Sequence, residues 1–95
     1  MAFILSREAE GDFARIYEYS LREFGFLQAD RYMSGLIDAF DMLALNPMSG
    51  KEQKSSQEGL RCLLRGSHAA YYLIAENDVV IVRILHQSQD PLRHL

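Results

Sequence analysis

Apolar positions recur with two different periods along this chain, and the change of period divides it. Phe3-Ile4-Leu5 is a short apolar run that reads as an edge strand. Ser6 follows with an N-cap oxygen, and Glu8 and Glu10 fall in the first turn, where acidic side chains favour the helix dipole. Ala9, Phe13, Ile16, Ser20 and Phe24 then repeat at helical spacing, with Tyr17 and Leu21 beside them. Gly25 fits the left-handed position that ends a helix, with Phe26 free to fold back on Leu21. The pattern predicts a first helix from Arg7 to Phe24.

A second apolar stripe of period 3.6 comprises Ala29, Tyr32, Met33, Leu36, Ile37, Phe40, Leu43 and Ala44. Asp30, Arg31, Ser34, Asp38 and Asp41 fill the opposite face. Asn46-Pro47 stops this helix, because proline disfavours a helical residue before it. The link between the stripes is short, so the two helices are expected to form an antiparallel hairpin. Met48–Gly59 has no periodicity and reads as an exposed, mobile loop.

Three strand-like runs close the chain: Leu60–Leu64, Ala69–Ala75 and Val79–Leu85. Gly66-Ser67 and Asn77-Asp78 mark tight turns, which predicts an antiparallel meander. The tail, Gln87–Leu95, is polar, and Pro91 opposes strand extension. The expected fold is α+β in two layers: an N-terminal strand, an antiparallel two-helix hairpin, then a three-stranded antiparallel meander whose apolar face the hairpin covers. Residues 1–95 make one domain, since 95 residues support one modest core and no second one.

Composition narrows the function classes. Apolar residues are 48% of the chain, too many for a disordered segment. No stretch is long enough to span a membrane. The N-terminal apolar segment is too short for a secretory signal, so the expected compartment is the cytoplasm. One cysteine, Cys62, permits no intrachain disulfide and no cysteine-based zinc site. Beside Leu60 and Leu64 it is expected to be an inert core thiol. The net charge of −3 divides unevenly: residues 1–50 carry four Arg against eight acids, and residues 51–95 six Lys and Arg against five. That density is too low for strong sequence-independent nucleic-acid binding by the chain alone.

Some residues are candidates for chemistry. Arg61 and Arg65 share one side of their strand, and Arg83 shares a side with Val79, Ile81 and Leu85. If both sets face away from the helices, the three arginines form an open-face patch for an anion, an acidic surface or RNA phosphate. The alternative is a solvated face with arginine stems over apolar strand surface. His86 ends its strand beside Gln87 and before Asp90. It suits either proton transfer near neutral pH or a tail-anchoring hydrogen bond to Asp90. Tyr71 and Tyr72 point to opposite faces, one to the core and the other available for stacking. Phe26, Leu27, Met33, Met42 and Met48 exceed what one small core hides, and flexible methionines suit a groove for a partner helix; ordinary core packing is the other reading. No metal-binding, Walker or dinucleotide motif is present, and no cofactor is expected.

Six blocks together carry a resemblance. They are Ala14 and Ile16 to Tyr19; Phe24-Gly25-x-x-Gln28-Ala29-x-x-Tyr32; Ala44-x-Asn46-Pro47-x-x-Gly50; Gly59-Leu60-Arg61; Gly66-Ser67-His68-x-x-Tyr71-Tyr72; and Val82-Arg83-Ile84-Leu85-His86-Gln87-x-x-Asp90. Spread over nearly the whole chain, they resemble the ParE branch of the RelE/ParE toxin superfamily. That resemblance implies a toxin that inhibits DNA gyrase by binding and is neutralised by a ParD-like antitoxin. On this reading no residue is catalytic. Arg61, Arg65, Arg83, His86, Gln87 and Asp90 are candidates for target contact, and Phe26, Leu27, Met33, Met42 and Met48 for antitoxin contact. RelE-like relatives instead cut messenger RNA in the ribosome, and under that alternative Arg61, Arg83 and His86 supply charge stabilisation and proton transfer. A third option is a degenerate toxin kept as a partner module.

Overall fold

A computed structural model describes all 95 residues. Strand β1 (Ala2–Leu5) leads into helix α1 (Arg7–Leu45), a 3-10 turn (Pro47–Ser49) and strand β2 (Lys51–Glu52). Strands β3 (Arg61–Arg65), β4 (His68–Ile74) and β5 (Asp78–His86) follow, then a second 3-10 turn (Pro91–Arg93). The five strands form one mixed sheet in the order β1-β5-β4-β3-β2, in which only β1 and β5 run parallel. No helix is long and apolar enough to cross a membrane.

Helix α1 is broken at Gly25, whose φ of 82° and ψ of 171° are non-helical. A straight helix of 39 residues would be about 58 Å long at ~1.5 Å per residue, whereas the longest dimension of the molecule is 38 Å. Contacts fix the direction of each half. Ser6 meets Ile81 and Val82, and Asp12 meets Ile84, so residues 7–24 run along β5. Tyr32 meets Ser67, and the Tyr72 hydroxyl meets Pro47 just past the helix end, so residues 26–45 run along β4. Because β4 and β5 are antiparallel, the chain reverses at Gly25. The glycine is not in the left-handed helical region that the sequence suggested. It occupies the extended region at positive φ that is essentially closed to other residues.

The N-terminal run expected as an edge strand is one, and as β1 it lies parallel beside β5. The sheet departs from the expected meander in two ways. The segment expected to be a mobile loop contains β2, which pairs with Arg61 and Cys62 of β3. A register shift opposite Tyr71 and Tyr72 leaves Val82 as an extra residue on β5. The bulge breaks the alternation of faces. Val79, Ile81 and Ile84 all pack into the helix-side core with Ala70, Tyr72, Leu36 and Phe40, whereas Leu85, Tyr71, Leu60 and Ala69 form a smaller cluster on the other face. Cys62 lies half-buried against that second cluster, away from the helices, while Leu64 is exposed. Burial pushes the Cys62 thiol up, so it stays protonated at neutral pH.

Two glycines of α1 should respond in opposite ways to alanine. A Cβ at Gly25 meets no atom within 4 Å, so any cost is backbone strain. Gly25→Ala is expected to destabilise by about 1–3 kcal/mol. Gly11→Ala, inside the helix and facing only the flexible Arg15 guanidinium, should stabilise by about 0.5–1 kcal/mol. Thermal and urea denaturation of both variants checks this, and a neutral Gly25→Ala would contradict the described break.

Candidate functional site

The first half of α1 presents Ala9, Asp12, Ile16 and Ser20 to the sheet, and all four are buried. Asp12 is an acid in an apolar stripe, so its charge must be matched where it lies. Four donors converge on it. Arg83 grips it with both Nε to Oδ2 (2.8 Å) and Nη2 to Oδ1 (2.9 Å). The Ile84 backbone N–H donates to Oδ2 at 2.9 Å, and Arg15 Nη2 donates to Oδ1 at 3.0 Å. Burial alone would raise the Asp12 pKa, but the Arg83 guanidinium, the Ile84 amide and Arg15 outweigh it and hold the carboxyl below its usual value. The bulge pairs Arg83 with Tyr71 on the face away from the helix and leaves Ile84 on the helix side. β1 pairs with β5 only as far as Ile81, so Arg83 lies on a free edge and wraps it to reach the helix. Its remaining Nη1 donates to the His94 carbonyl at 3.1 Å and ties down the tail.

The two ends of the helix are also stitched to the sheet. The Ser6 hydroxyl accepts from the Ala9 N–H and donates to the Val82 carbonyl. At the far end, the Tyr72 hydroxyl donates to the Pro47 carbonyl at 2.6 Å and accepts from the Gly50 N–H at 2.8 Å. Arg61 Nε and Nη2 donate to the carbonyls of Gly50 and Met48.

Between α1 and the ends of β4 and β5 lies a cleft of ≈ 530 Å³. Asp12, Arg15, Ile16, Tyr19, Ser20 and Phe24 line it from the first half of the helix. Gln28 and Tyr32 line it from the second half, and Ser67, His68, Arg83, Ile84, His86 and Gln89 from the sheet and tail. At its centre the Tyr32 hydroxyl hydrogen-bonds His68 Nδ1, accepts from the Ser67 N–H (3.0 Å) and lies 3.4 Å from the Arg65 carbonyl. The His68 and His86 rings stand edge to face with centroids 5.4 Å apart. Burial first, and the neighbouring His86 second, lower the pKa of His68. His86 Nδ1 accepts from the Ser88 N–H at 3.1 Å, which places the proton of the neutral ring on Nε2.

The arginine patch expected on the open sheet face does not form. Arg61 and Arg65 do share a side, but it is the helix side: Arg61 clamps the Met48–Gly50 carbonyls, and Arg65 lies against Gly35. Arg83 is consumed by Asp12. Gln87 Nε2 donates to the Gly66 carbonyl, and Asp90 caps Leu92 N–H rather than bonding His86. Met33 belongs to the core, as its place in the second stripe requires. Phe26 and Leu27 are exposed at the helix break, and Met42 and Met48 are exposed at the other end of the second half. From Leu27 to Met42 the helix rises about 22 Å at ~1.5 Å per residue, so these side chains form two surfaces. Asp12 was not singled out from the sequence, and Tyr32 and His68 entered only through the apolar stripe and the resemblance blocks, not as site residues. A signal for Asp12 existed: an acid three residues after Ala9 and four before Ile16 falls on the buried stripe.

The family model described as the ParE toxin of type II toxin–antitoxin system, parDE, matches residues 3–91. A Caulobacter vibrioides relative named Toxin ParE1 is 35% identical over 91 residues, covering 96% of this chain and 94% of its own. Two solved structures share the fold. A chain of the chromosomal ParDE system from P. aeruginosa aligns with a TM-score of 0.75 at 22% identity, over 90% of this chain and 95% of that one. A chain of the RelBE2 toxin–antitoxin complex from Mycobacterium tuberculosis aligns with a TM-score of 0.68 at 21% identity, over 90% and 96%.

The Asp12 cluster predicts a specific acid response. Its folded pKa lies below the ordinary value of 3.8, so its stabilisation is complete above that value and disappears as pH falls through the folded one. Asp12→Asn leaves Arg83 without its counter-charge and should cost about 3–5 kcal/mol near neutral pH. Denaturant unfolding of parent and variant between about pH 7 and about pH 2 should show the gap closing as the parent is acidified. A gap that stays constant down to the lowest pH would contradict the assignment.

Proposed function

Because this chain belongs to the ParE toxin family of type II toxin–antitoxin systems, we propose that it arrests growth by binding DNA gyrase and is neutralised by a ParD-like antitoxin. A poison of this kind needs no chemistry of its own, since stabilising one state of the target is enough. The observation that carries this reading is how the three residues that nuclease chemistry would use are employed. Arg83 directs three of its five N–H donors to Asp12 and His94. Arg61 is engaged by backbone carbonyls of the turn before β2. The His86 Nδ1 is engaged by Ser88. Arg83 and His86 line one cleft but Arg61 lies outside it, so the three do not converge on one reacting phosphate, as general acid–base and charge-stabilising catalysis requires.

The surfaces left free suit protein contact. At the helix break Tyr19, Phe24, Phe26 and Leu27 are each at least half exposed and bring apolar area together. Met42, Leu45 and Met48 do the same at the far end. On this reading the antitoxin covers one or both, and the toxin gains stability from it by mass action. Ribosome-dependent messenger RNA cleavage stands as the second reading. It is favoured by the fold shared with the RelBE2 chain and by the cleft that brings Tyr32, His68 and His86 together.

Two assays on one preparation separate the readings: gyrase supercoiling and ribosome-dependent messenger RNA cleavage. The expected outcome is loss of supercoiling with intact messenger RNA. His86→Gln should keep growth inhibition within a few-fold of the parent at matched soluble expression, whereas a catalytic histidine would lose about 10²–10⁴-fold in rate. Messenger RNA cleavage by the parent that His86→Gln abolishes would establish the nuclease reading instead.

A further inference from the structure

The cleft between α1 and the β4–β5 ends has a charge opposite to that of its surroundings. Its lining holds Arg15 and Arg83 against Asp12 alone, an excess of one positive charge before either histidine is protonated. The chain as a whole carries −3. Residues 7–24, which form one wall, carry five acids against three arginines. The cleft is therefore a small positive concavity in a negative surface. Its size falls within the range of about 300–1,000 Å³ usual for binding clefts. Tyr19 and Phe24 stand at its edge in edge-to-face contact, each more than half exposed.

The donors inside are arranged for an anion. The His86 Nδ1 is occupied as an acceptor, which leaves Nε2–H as the donor of that ring. Around His68 the hydrogen-bond network has a place for a second ring proton. The Tyr32 oxygen has two lone pairs and one proton. With His68 charged, it accepts from the Ser67 N–H and from His68 Nδ1–H and donates to the Arg65 carbonyl, so every group is satisfied. With His68 neutral, the same pattern holds with the ring proton on Nδ1 and Nε2 left an acceptor; the second ring proton makes Nε2 a donor as well. The groups facing His68 are Tyr32 from α1, His86 from β5 and its β3 register partner Arg65; none carries the negative charge that would hold a proton on His68 in the empty cleft. Burial and His86 accordingly keep it neutral there. His86 faces His68, Ser88 and, through Gln89, the ring of His94.

We propose that this cleft seats an acidic side chain of the partner antitoxin, whose carboxylate accepts from Arg15, His86 and His68 while flanking apolar side chains lie on Tyr19 and Phe24. This rests on the antitoxin reading above and assigns it a site. A carboxylate supplies the missing negative charge beside His68, so binding takes up a proton. A nucleic acid is the less suitable occupant, because several phosphates would have to cross the net negative helix wall for a single excess positive charge in the cleft.

The test is the affinity of the antitoxin encoded beside the toxin, for parent, Arg15→Gln and His68→Gln, at about pH 6 and about pH 8. Arg15 is exposed and Asp12 keeps three other donors without it, so Arg15→Gln should fold. The parent should bind about fivefold or more tightly at the lower pH, as proton uptake by one imidazole requires. Arg15→Gln should bind about tenfold more weakly at both pH values, and His68→Gln should lose the pH dependence. A second measurement follows the His68 and His86 ring signals by NMR as acetyl-Leu-Glu-Leu-amide or its glutamine counterpart is added. Only the acidic peptide should shift them and raise the His68 pKa. Antitoxin binding that ignores Arg15 and pH overturns the site while leaving the antitoxin reading intact. Absence of antitoxin binding overturns that reading, and the assigned occupant with it. Equal response to both peptides overturns the carboxylate requirement.

Discussion

A carboxylate withdrawn from water must find its counter-charges nearby, and much of this molecule is arranged around that need at Asp12. Its two oxygens accept four hydrogen bonds, from Arg83 twice, from Arg15 and from the Ile84 amide. Meeting them joins the first half of α1 to β5 at the point where β1 has ended. Through the Nη1 of Arg83 the same cluster holds the tail at His94, and the tail contributes Gln89 to the cleft wall. Helix, sheet edge, tail and cleft thus depend on one ion-pair cluster. Breaking a buried pair is far more costly than losing an exposed one.

That arrangement explains what could be read from the sequence and what could not. Both helical stripes and the strands around Gly66-Ser67 and Asn77-Asp78 were legible, because period and turn chemistry are local. Gly25 was legible as a stop, although its ψ of 171° lies outside the expected left-handed helical well. β2 was not legible: two exposed residues paired with β3 leave no hydrophobic period. The largest error came from the choice of face. Strict alternation put Arg83 on a face with Val79 and Ile81, and that face was read as open although both residues pack against the helices; the bulge at Val82 then pairs Arg83 with Tyr71 on the other face, from which it wraps the sheet edge to a helix about 70 positions away in sequence. A single inserted residue reverses every later side chain, and nothing local signals it.

Met33 and His68 show the same division between local pattern and tertiary context. Met33 follows the period of Ala29, Leu36 and Phe40 and is buried with them. Its chemistry had suggested a partner groove, but its position decided otherwise. His68 carried no spacing signal. It acquires a role only because Tyr32 arrives from the other layer and His86 from the neighbouring strand. The surface that remains after these structural duties combines apolar area at the helix break with a weakly positive cleft. Those features suit recognition of another protein more than turnover of a substrate.

The most direct measurement of that account is a titration of purified DNA gyrase with the free toxin, followed by calorimetry and by residual supercoiling in the same samples. The account predicts a saturable complex, with inhibition reaching its limit as the binding sites fill and no gain on longer incubation. No detectable complex at concentrations that arrest growth, or a loss of activity that deepens with time at trace toxin, would contradict it.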